Sequence, residues 1–221
     1  MTTDPTPLLY QPYLEALTAF ASEGARRDDL LAAKAEYMQH TGELFEDDTF
    51  FELRMASFLD HYLFDRVSPL TGKTPAEEYL ELKRAENAPD AGLYEAFTQT
   101  LHGLFEVRKL GKGYIRLREL YSGKDYDVTE RRQTAGLDKG DVIEARLIPF
   151  DGALVFSQAF TFHPKEAVKS ILAEVKRRKK KEPERPPLEL TWECAKRAVK
   201  AERYRQIPVE RIYDFSVAPK I

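Results

Sequence analysis

Two sets of residues have types and spacings that can do chemistry. The first is Asp60-His61-Tyr62 followed by Asp65-Arg66, where an imidazole stands beside carboxylates at positions a helix would bring together. A histidine so flanked can act as a general base, and a hydrolase or transferase using His61 with Asp60 or Asp65 is one functional reading. The simpler reading is a local i,i+4 pair, His61 with Asp65, that fixes a helix end. The second set is basic. Arg108 stands next to Lys109 in one strand-like run, and Arg116 and Arg118 alternate with apolar residues in the next. Further on, Lys176, Arg177, Arg178, Lys179, Lys180 and Lys181 form the densest charge run in the chain. Tyr114, Arg116 and Arg118 on one strand face can stack bases and contact phosphates, and each neutralised phosphate adds sequence-independent affinity. Against this stand a solvated helix end and an ordinary outer sheet face, together with a pI of 5.9 that falls well short of a basic nucleic-acid footprint.

Other chemistry is thinly represented. His40, His102 and His163 have no metal-ligand spacing, and neither a phosphate-binding loop nor a nucleophile elbow is present. Cys194 is the one cysteine, so a disulfide within the chain and a multi-thiolate metal site are excluded. Lys196 and Arg197 nearby can lower a thiol pKa, but beside Trp192 the residue reads as core. Catalytic residues, metal ligands and cofactors are therefore expected to be none.

These residues need elements to position them. At 221 residues with 43% hydrophobic and 32% charged side chains, the chain is long enough for a substantial core and is of globular composition. It has no apolar window long enough to span a bilayer, and its first residues lack a basic start and an apolar signal core, so a cytoplasmic location is expected. Charge is split along the chain. Residues 1–105 carry 19 acidic and 8 basic side chains, net -11, whereas residues 106–221 carry 18 and 26, net +8. Such halves either attract each other or leave a basic face for an anionic partner.

Hydrophobic period predicts an α+β protein. An acidic helical block of about five helices is expected over 1–104, a small antiparallel β-barrel or meander over 105–163, and basic C-terminal helices over 164–221. Residues 1–7 read as a loose end. Tyr13, Leu17 and Phe20 mark a first helix, and Leu30, Leu31, Tyr37 and Met38 a second. Phe51, Met55, Phe58 and Tyr62 mark a third, and Thr74-Pro75-Ala76-Glu77 is a capping box opening a fourth. Leu93, Phe97, Leu101 and Leu104 predict a fifth helix. Five strand-like runs follow between Phe105 and His163, joined by turns at Gly111-Lys112-Gly113, Tyr121-Ser122-Gly123-Lys124 and Phe150-Asp151-Gly152 and by a polar connection over 130–136. Pro164 starts a helix ending in the basic run. Glu182 to Pro187 predicts a stiff linker, Leu190 to Val199 a last helix, and Arg211-Ile212-Tyr213-Asp214-Phe215 a strand at the sheet edge.

The order Phe50-Phe51-Glu52, Phe58 to Arg66 and Thr71-Gly72-Lys73-Thr74-Pro75 resembles an uncharacterised bacterial domain often found in proteins with a C-terminal SEC-C zinc motif. The strand pair Tyr114 to Val128 and the segment Leu137 to Leu147 extend the likeness over about Phe45 to Phe162. The resemblance implies a fold arrangement and supplies no activity. With Cys194 alone, the zinc motif, metal binding and a SecA-like chaperone contact do not carry over. The leading expectation is a non-catalytic protein-interaction or regulatory protein with a protein partner. Nucleic-acid binding through the nine basic residues is the alternative, and oligomeric state is not legible.

Overall fold

A computed structural model of the chain describes residues 9–129 and 136–217. The loose end over 1–7 and the connection over 130–135 lie outside them. The helical block comprises α1 (Gln11–Ser22), α2 (Arg26–Thr41), α3 (Phe51–Phe64), α4 (Pro75–Ala85) and the short α5 (Ala91–Tyr94), which runs on into a 3-10 turn, Glu95–Thr98. The capping box at α4 forms as read. The Thr74 Oγ1 accepts from the Glu77 N–H at 3.3 Å and the Glu77 carboxylate accepts from the Thr74 N–H at 2.8 Å, so two end N–H groups are satisfied. Phe58 and Tyr62 of α3 are buried on the expected stripe. The fifth helix is much shorter than its leucine spacing predicts, because Leu101 and Leu104 belong to a strand. That strand is buried on both faces, and two-sided burial at this spacing imitates a helical stripe.

The sheet contains β1 (Leu101–Gly111), β2 (Tyr114–Glu119), β3 (Asp125–Thr129), β4 (Val142–Phe150) and β5 (Ala153–Phe162). Strand order is β1-β2-β3-β5-β4, and β4 pairs back onto β1, so the sheet closes into an uneven ring. This is not a meander, and it is not wholly antiparallel. The β3–β5 link is a single parallel pair, Thr129 with Val155, because β4 crosses to the far edge beside β1 before β5 returns. The β4–β5 hairpin turns at Asp151 (φ 49°) and Gly152 (φ 73°), the two-positive-φ geometry that Asp-Gly supplies at least cost.

After a 3-10 turn, Lys165–Ala167, come α6 (Val168–Lys181), α7 (Pro187–Arg203) and α8 (Val209–Ile212). The expected linker is shorter by one residue, since Pro187 opens α7 where its missing N–H costs nothing. The strand expected over Arg211 to Phe215 is absent. Pro208 instead precedes the short α8, and Ile212 and Tyr213 are buried.

Three apolar clusters hold these parts together. One joins the helical block to Ile148 and Phe150 of β4, one fills the sheet interior around Phe105, Leu117 and Leu147, and one packs α6, α7 and α8 on Leu104 and Val142. Strand β4 contributes to all three. Ile143, Ala145 and Leu147 face the ring interior, while its outward side is covered by helices, which is why the strand is buried along nearly its whole length. The helix α3 packs on β5, and α7 packs on both α2 and β1.

Candidate functional site

Covering the outer faces of β1 and β4 encloses a polar cluster between the helical block and the sheet. In the antiparallel register His102 lies opposite Arg146 and Leu104 opposite Glu144, so His102, Glu144 and Arg146 share one face. From the other side, α3 delivers Asp60, His61 and, at its C-terminal boundary, Asp65. Arg146, 1% exposed, donates through both terminal nitrogens to the Asp65 carboxylate, the Nη1–Oδ1 distance being 3.0 Å. Its Nη1 also donates to Thr100 Oγ1 at 2.8 Å. His102 Nε2 lies 2.9 Å from Glu144 Oε1, and its Nδ1 lies 3.6 Å from Asp65 Oδ2. Asp60 Oδ2 is 3.5 Å from Arg146 Nε, beyond good hydrogen-bonding distance.

Local electrostatics follow from this packing. Burial disfavours charge on Asp65, yet Arg146 and the two histidines outweigh it and hold its carboxyl well below the usual carboxylate range. Burial and the charge of Arg146 pull His102 down, but the nearby Asp65 carboxylate and the hydrogen bond to Glu144 prevail and carry it up to about 9. A ring that is already protonated at neutral pH cannot accept a proton, and a carboxylate locked by a guanidinium is a weak base. Asp60 goes the other way: burial pushes its carboxyl up against the attraction of Arg146.

His61 is 3.7 Å from Asp65 through Nδ1, the i,i+4 pair that spacing predicts. Its ring lies against Tyr37 and Trp192, with centroids 5.5 and 5.6 Å away, and His40 stacks on the indole at 4.2 Å. His61 therefore serves as a packing residue beside the cluster.

The basic residues are dispersed in their roles. Tyr114, Arg116 and Arg118 do share the outer face of β2, as alternation predicts, with Ile115 and Leu117 inside. That face is not free, because Asp127 and Asp125 stand directly opposite on β3. Arg116 makes two 2.7 Å bonds to Asp127, and Arg118 bonds Asp125 at 2.8 and 3.0 Å. Arg108 bonds Glu106 at 2.8 Å. In the C-terminal run, Arg178 is 3% exposed and pairs with Glu174 and Glu193, while Arg177 pairs with Glu174 and Glu182. Lys179 donates to the Tyr121 carbonyl. Lys176, Lys180 and Lys181 are exposed and, among the described residues, form no ion pair. A continuous nine-residue basic platform is thus not assembled.

Glu144 and Arg146 escape sequence reading because alternation in β4 places them on what looks like a solvent face, and His102 because its segment reads as the end of the fifth helix rather than as the start of β1. The faint signal was charge itself: DVIEARLIPF puts two opposite charges on one side of a strongly apolar strand. Cys194 is buried, and burial pushes its thiol well up, so it is core as its place beside Trp192 suggests. His163 is also enclosed, 3.0 Å from the Tyr213 hydroxyl through Nδ1, and burial lowers it to about 4.

Among the described residues, no group of three or more His, Cys, Asp or Glu side chains is placed to hold a metal ion. No helix there is long and apolar enough to cross a membrane. No curated protein and no solved structure matches the chain. A family model matches residues 26–187, spanning the buried cluster, the whole sheet and α6, and on that match the chain belongs to DUF7986, a family of unknown function.

Proposed function

We propose that the protein is a non-catalytic interaction protein that takes an apolar segment of a partner protein in a groove between α3, β5 and α7. The observation that carries this reading is the groove itself, about 240 Å³, walled by Phe50, Leu53, Phe160, Phe162, Ala198 and Val209. Phe50 and Phe162 remain 45% and 43% exposed there, a grouping of large apolar side chains that a binding partner would cover. Charge at the rim adds specificity. Glu202 is occupied by the Thr49 N–H at 2.8 Å, whereas Arg205 has no carboxylate partner among the described residues. The fitting segment therefore carries an acidic residue beside its apolar side chains. A regulatory role in bacteria, in the cytoplasm, and kinship with domains found beside SEC-C motifs belong to the same reading, without a zinc site, since Cys194 stands alone.

The test is affinity capture with the wild-type protein and with the variants Phe162→Asp and Arg205→Glu, after each is shown to melt like the wild type. A partner held by the wild type, lost with Phe162→Asp and weakened with Arg205→Glu supports the reading. Equal retention by all three sinks it.

Contact with nucleic acid is a second reading, and it rests on Lys176, Lys180 and Lys181 at the end of α6. With three cations available, log affinity against log salt should have a slope of about -3 at most. Fluorescence anisotropy with single-stranded and duplex DNA at low salt decides it. Catalysis through His61 gains no comparable support, because its ring lies against Tyr37 and Trp192.

A further inference from the structure

The groove between α3, β5 and α7 has a size, a wall chemistry and an unanswered charge that together select what enters it. It is hollow because α7 lines it with small side chains, Ala195, Ala198 and Ala201, which recur on one face of the helix. Its remaining walls include three aromatic rings, Phe50, Phe160 and Phe162, of which the last two stack with centroids 6.0 Å apart. An apolar cavity of ~150 Å³ holds one benzene, or ~25 Å³ per ring atom. At about 240 Å³ the groove therefore holds roughly nine or ten such atoms, the size of an indole, and a leucine side chain fills less than about half of it.

Two polar groups sit among these walls. Thr161 pairs with Glu144 across the ladder of β4 and β5, lines the groove, and makes no side-chain hydrogen bond among the described residues. Its hydroxyl oxygen can accept from an indole N–H. Arg205 is the other. Behind the wall, Arg54 and Arg203 already share the Asp48 carboxylate, at 3.3 and 2.6 Å from Oδ2, and Glu202 accepts from the Thr49 N–H at 2.8 Å. Arg205 is left with the Glu202 carbonyl of its own helix at 3.4 Å, a long bond, and stands exposed on the groove lining. Three guanidiniums thus meet two carboxylates here, and the third is open to an acid from outside.

We propose that the groove takes a tryptophan side chain of a partner protein, with an acidic residue close to it in the partner's chain on Arg205. This rests on the reading of the groove as a partner-binding site and names the side chain that anchors it. Ring packed on ring gains more than the burial of its area alone, and an indole brings a large rigid body with a single donor, which Thr161 matches. Tryptophan is also among the side chains most enriched at the energetic centres of interfaces.

Titration calorimetry on the full chain tests this with three pentapeptides blocked at both ends. The first is Asp-Ala-Trp-Ala-Asp, the second has leucine for tryptophan, and the third has asparagine for both aspartates. The tryptophan peptide should bind saturably, the leucine peptide at least about tenfold more weakly, and the asparagine peptide about threefold more weakly. With Arg205→Gln the aspartate and asparagine peptides should bind alike, a result that a general loosening of the groove does not produce. Phe162→Asp should abolish binding. Should that variant fail to fold, Ala198→Phe, which fills the groove from α7, should do the same. The proposal is overturned if the leucine peptide matches the tryptophan peptide, if no peptide binds below about 10 mM, or if Arg205→Gln keeps the preference for aspartate. It is overturned too if the wild type sediments as a dimer and Phe162→Asp as a monomer, since a second copy then covers the groove. A leucine peptide that binds as well as the tryptophan one, and is lost with Phe162→Asp, leaves the groove as a partner site and removes only its tryptophan.

Discussion

Replacing Arg146 by methionine should be among the most damaging single changes available in this chain, and the structure says why. The guanidinium is almost wholly buried, makes a forked pair with Asp65 and donates to Thr100. Methionine fills much of the same volume, so the loss is chiefly electrostatic: Asp65 and Asp60 are left enclosed with one countercharge fewer. Removing one partner of a buried pair typically costs about 3–5 kcal/mol. Against a total stability of about 5–15 kcal/mol that is a large fraction, and outright failure to fold is within range. Arg146→Lys keeps the charge while giving up the fork, so it should fall between wild type and methionine. Arg116→Met is the control. That arginine also forms a two-bond pair, with Asp127, but in solvent, and its loss should leave the unfolding midpoint nearly unmoved. Urea denaturation followed by circular dichroism reads all four proteins, with unchanged slopes confirming like-for-like unfolding. If Arg146→Met stays within about 1 kcal/mol of wild type, or ranks with Arg116→Met, then the buried cluster does not join the two halves of the molecule and the reasoning fails.

Two further outcomes follow from burial. Two histidines should shape the stability profile on either side of pH 6.5, with the lowered carboxyls of Asp65 and Asp48 adding a further loss at more acid pH. His102, raised to about 9 in the folded state, contributes stability that is present below its unfolded value and lost as pH rises from about 6.5 through 9, up to about 3 kcal/mol in all. His163, lowered to about 4 by burial beside Tyr213, gives stability present above its unfolded value and lost as pH falls from about 6.5 towards 4. Urea midpoints across pH for His102→Gln and His163→Gln should show the alkaline limb flattened in the first and the acid limb in the second; a profile unchanged by either substitution refutes the assignment. Cys194, buried with its thiol pushed well up, should resist iodoacetamide in the native protein and react once the chain is unfolded in urea, and rapid native labelling would contradict its placement in the core.

Much of the local structure was legible from residue order because it depends on near neighbours. The Thr74 to Glu77 capping box, the stripe through Phe58 and Tyr62, the Asp151-Gly152 turn and the inward and outward sides of β2 all rest on periods and turn chemistry that act within a few residues. Period also fixed that Arg116 and Arg118 share a face. The same rule applied to Asp125-Tyr126-Asp127 would have placed two carboxylates opposite them, and only the pairing of β2 with β3 makes that juxtaposition count.

What covers a face is a different kind of fact. Alternation put Glu144 and Arg146 on the outward side of the sheet, and the pairing of β1 with β4 put His102 beside them; nothing local distinguishes an outward side that meets water from one that meets α3. Tertiary packing made that choice, and with it turned three ordinary-looking polar residues into a buried ionic cluster, raised the pKa of His102 and enclosed Asp60 so that burial pushes its carboxyl up. The opposite charges of the two halves are resolved the same way, in part through Asp65 with Arg146 and Asp48 with Arg203 across the junction, and in part within the sheet itself. Sequence determined each residue's side of its element; the fold determined the dielectric and the partners on that side, because those depend on segments far apart in the chain.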